Sequence, residues 1–110
     1  MTIEQIDMVD FVTIDRVSGD AWLTISDHLP WDTEEGHHLV LLQDKLNAYL
    51  RFIESGELTA KFPEAIGRSV GIRLVGKFHL SAQGSRLFEL SKAAITKAGF
   101  KLQFSLLAPQ

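Results

Sequence analysis

One stretch constrains this chain more than any other. Between Thr33 and Glu54, Leu39, Leu42, Leu46, Tyr49, Leu50 and Ile53 recur at steps of three and four. That spacing gathers side chains on one face of an α-helix. The ends carry matching signals. Pro30 disfavours helix for the residue before it, so "HLPW" reads as a turn. Asp32 stands three residues before Glu35, a capping-box-like spacing, and Glu34 and Glu35 fall in a first turn where the helix dipole favours anions. Gly56 is the expected C′ residue. A helix with one apolar stripe draws its stability from whatever covers that stripe, so the rest of the chain must supply a cover.

Four alternating runs supply it. Val9–Arg16 is rich in β-formers, "VSGD" offers a turn at Gly19, and Ala21–Asp27 alternates, with Ala21, Leu23 and Ile25 on one side and Trp22, Thr24 and Ser26 on the other. These two runs predict a hairpin. Val70–Phe78 predicts a third strand with Val70, Ile72 and Leu74 on one face. Ser81 can cap a second helix over about Ala82–Ala98, with Leu87, Phe88, Ser91, Ala94, Ile95 and Ala98 inward and Gly99 closing it. "FKLQFSLL" is the last strand, with Leu102, Phe104 and Leu106 inward. The connection "ELTAKFPEAIGRS" is long and allows a turn of helix around Pro63–Ala65. The order ββαβαβ predicts an α+β two-layer sandwich: a four-stranded sheet with two helices on one face, as a single domain over residues 1–110. Strand–helix–strand crossovers should be right-handed; the strand order stays open.

"LTISDHLPW", then "HLVLLQDKLNAYLRFIESGEL", then "GFKLQFSLL" together resemble a family of small bacterial proteins described only as a domain of unknown function. The likeness covers nearly the whole chain and is most specific from His38 through Glu57. It implies a small bacterial protein and brings no activity, cofactor or catalytic residue.

Composition narrows the function classes. There are no cysteines, which excludes disulfides, thiolate metal sites and cysteine nucleophiles. The formal charge is −3 and the Lys and Arg residues are scattered, so the phosphate neutralisation that drives nucleic-acid binding has no basic stripe behind it. "MTIEQIDMVD" has no apolar run of signal-peptide length, and no segment approaches the roughly 20 apolar residues of a membrane span. The expectation is a cytoplasmic protein with no membrane or nucleic-acid partner.

The one cluster of chemical side chains lies in "ISDHLPWDTEEGHH". Asp27, His28, Glu34 and His38 could form a metal or acid–base site, since Glu34 precedes His38 by four on one helix face. Against that, His37 and His38 are adjacent and point roughly 100° apart. The residues four beyond them are Leu41 and Leu42, which cannot ligate. The preferred reading makes the acids helix-starting groups, His37 solvated, and His38 a half-buried residue at the stripe's edge bonded back to the turn, with no metal and no cofactor.

Two apolar features lie outside the expected core. Leu41, Ala48 and Phe52 form a second stripe on the long helix, to be covered by the following connection or by another chain. Phe11 and Trp22, with Arg73, fall on the sheet's outer face and suit a partner hot spot. The expected function is a non-catalytic protein-interaction module, a homodimer or docked to a protein partner. The alternative is a small metal-dependent or acid–base enzyme at the junction between the second strand and the first helix.

Overall fold

The computed structural model describes residues 12–107. In chain order the elements are β1 (Thr13–Ile14), β2 (Ala21–Asp27), α1 (Glu35–Glu54), α2 (Glu57–Lys61), a 3₁₀ turn at Pro63–Ala65, β3 (Val70–Gly76), α3 (Ala82–Lys97) and β4 (Lys101–Leu106). The sheet has the order β1-β2-β3-β4. β1 pairs antiparallel with β2, and β2, β3 and β4 run parallel.

That order follows from local chemistry. The Asp15 side chain accepts from the backbone N–H groups of Val17 and Ser18 at 2.8 and 3.0 Å, and Gly19 takes φ 77°. This tight turn forces β1 back alongside β2. Each later strand is reached through a helix, and a helical crossover returns the chain parallel to where it started. Two successive crossovers of one hand step across the sheet in one direction and leave α1 and α3 side by side on one face.

The core lies between that helix layer and the sheet. Ala21, Leu23 and Ile25 of β2 and Ile72 and Leu74 of β3 are fully buried, as alternation predicts for their inner face. From α1 come Leu42, Leu46 and Tyr49, and from α3 Phe88 and Ile95. On the other face Trp22 lies flat across Gly71, its partner in register. A Cβ at Gly71 would sit 2.3 Å from the Trp22 ring, so only glycine admits that packing.

Several expectations need adjusting. The connection after α1 holds a further helix, α2, whose Leu58 is buried in the core. The expected capping box is absent: Glu34 is the N-cap, in the left-handed region at φ 50°, and makes no side-chain cap bond. The α1 stripe is rotated from the expected one. Its buried residues are His38, Leu42, Lys45, Leu46 and Tyr49, while Leu39, Leu50 and Ile53 are only partly buried. On α3 the buried line is Gly84, Phe88 and Ile95, and Ala94 and Ala98 are exposed. Ser81 caps α3 as expected, accepting from Gly84 N–H at 3.0 Å, and Gly56 follows α1 at φ 88°.

Candidate functional site: the β2–α1 junction and the α1–α3 face

Asp27 is the last residue of β2 and continues the inward alternation of Leu23 and Ile25, so its carboxylate enters the helix layer. His38 lies in the first turn of α1 and points back at it. Nε2 lies 2.6 Å from Asp27 Oδ2, with the two residues 2% and 3% exposed. Asp27 Oδ1 accepts from Leu29 N–H at 3.1 Å, which holds the carboxylate in place. His38 Nδ1 lies 3.2 Å from the carbonyl oxygen of Pro30. A carbonyl oxygen only accepts, so Nδ1 is the donor. On the other side Nε2 is within hydrogen-bond distance of Oδ2, so both ring nitrogens face protein oxygens.

Trp31 completes the arrangement. Its ring stacks on His38 with centroids 3.5 Å apart and planes 16° apart. The indole also meets the first turn of α3, where a Cβ at Gly84 would lie 3.0 Å from its ring. The strand end, the turn and the start of α1 therefore meet at one imidazole, and the start of α3 joins them through Trp31. Two turns further along α1, Lys45 is fully buried, with Nζ 5.1 Å from the centre of the Tyr49 ring. A pocket of 170 Å³ opens beside His38, lined by Leu29, Pro30, Thr33, Glu34, His37, His38 and Leu41. Glu34, the one described non-glycine residue at positive φ, stands at its rim.

Of the four junction residues suggested by sequence, the structure joins Asp27 with His38. His28 is exposed, and Glu34 shares the pocket with His38. Among the described residues no three His, Asp or Glu side chains come together as a metal-binding group. His38 is buried in the stripe, where the sequence reading had it half-buried at the edge. Trp31 and Lys45 were missed. The available signal was the spacing 38, 42, 45 and 49, a second way to draw the stripe that passes through both polar residues.

The proposed contact residues fall as follows. Phe11 lies outside the described residues. Trp22 is 4% exposed, with the Arg73 guanidinium 4.7 Å from its ring centre, a cation–π contact within the fold. Leu41 and Phe52 are partly buried and pack against the core, and Ala48 is partly buried. Apolar side chains turned to solvent include Val17, Ile66, Phe78, Leu106 and Leu107 outside the helix layer and two on it. Val40 of α1 and Leu90 of α3 are 53% and 66% exposed and face each other across a groove of 470 Å³. A second hollow of 250 Å³ prolongs it toward the helix C-termini, sharing Gln43, Leu87 and Leu90. Arg86 is the one charged residue lining the two.

Fold and site together define a small α+β protein with two βαβ crossovers, a buried carboxylate–imidazole pair at a strand end and a charge-poor groove along its helix layer. The chain belongs to the family of unknown function DUF6572, whose model matches residues 1–108. No curated protein and no solved structure matches it. No helix among the described residues is long and apolar enough to cross a membrane.

Proposed function

We propose that this protein is a non-catalytic protein-interaction module of the cytoplasm that engages a protein surface through the groove between α1 and α3. The observation that carries this reading is the charge-poor lining. Nearly a quarter of the chain is charged, yet Arg86 alone is charged among the groove residues, while Val40 and Leu90 stand exposed at its rim. Depletion of charge around exposed aliphatic side chains is the compositional mark of an interface centre. The net charge of −3 supports a protein partner over nucleic acid.

The alternative, an acid–base or metal-dependent enzyme at the β2–α1 junction, has one observation in its favour: the 2.6 Å contact between buried His38 and Asp27. Both ring nitrogens already face protein oxygens, so the imidazole would have to give up one of them to exchange a proton with a substrate. The same geometry suits a pin that fixes the start of α1.

A photo-crosslinking residue placed at Val40 tests the module reading in living cells. A protein adduct at that position, lost with a charge at residue 90, is expected. Absence of any protein adduct across growth conditions would overturn it.

A further inference from the structure

We draw no further inference here: the strongest candidate, the hollow along the helix layer between α1 and α3 with Val40 and Leu90 exposed at its rim, is the surface already described, and nothing in the structure shows what covers it.

Discussion

At the scale of single residues, the Asp27–His38 contact is the most consequential in the chain. Each group is expensive to bury alone, and each is satisfied by the other and by a backbone group. Removing one partner strands the other away from water. His38→Ala should therefore cost about 3–5 kcal/mol in urea denaturation. Replacing both polar groups together is a different experiment. Asp27→Leu with His38→Phe keeps a flat ring against Trp31 and strands neither member of the pair, so it should recover most of that loss and lie within about 1–2 kcal/mol of the parent. If the single substitution costs under about 1 kcal/mol, the pair is not the pin described here. The imidazole's role was only partly legible. Leu42 and Leu46 share the stripe however it is drawn, so the sequence placed α1 correctly on the sheet. A drawing that favoured leucines over every polar residue put His38 at the edge and passed over Lys45. Burial of a polar side chain depends on a partner far away in sequence, and the 11-residue separation of Asp27 and His38 carries no helical or strand period.

Elements that depend on nearby residues were the most readable. The β1–β2 turn follows from Asp15 and Gly19, and the α3 start from Ser81, each acting within three or four residues. The start of α1 was misread because Asp32 and Glu35 have capping spacing, yet the chain uses Glu34 in a left-handed conformation to aim α1 at Asp27. The turn at Asp15 gives a prediction at this scale. The N–H groups of Ser18, then Val17, hold its carboxylate below the usual range. A carboxyl with a depressed folded pKa adds stability that is fully present above its unfolded value and is lost as pH falls through the folded one. Asp15→Ala should thus be less stable than the parent at neutral pH, and the gap should close on acidification below the ordinary Asp range. Denaturant midpoints for both proteins across pH 2–7 would show the curves converging at the acid end. A gap that stays constant with pH would mean the carboxylate charge contributes nothing to the turn.

For the whole molecule, sheet order was the part beyond sequence reading, because alternation marks a strand's faces and says nothing of its neighbours. The order β1-β2-β3-β4 leaves β3 in the interior and β4 paired, among the described residues, on one side only. That leaves two routes to self-association: helix layer to helix layer, or strand to strand along β4. They make opposite demands on the β4 backbone. An edge strand directs alternate N–H groups away from its neighbour, and joining two edges would bond them. Amide exchange distinguishes the routes. β3, flanked on both sides, should exchange slowest, and alternate amides of β4 should exchange fast at every protein concentration. Were the helix layers to meet instead, side chains of α1 and α3 would be covered while β4 stays as it is, so concentration would slow exchange only through the stability that association adds to the fold as a whole. Protection appearing selectively in residues 101–106 as concentration rises would place the contact on the sheet edge. The groove would then be left open to a different protein.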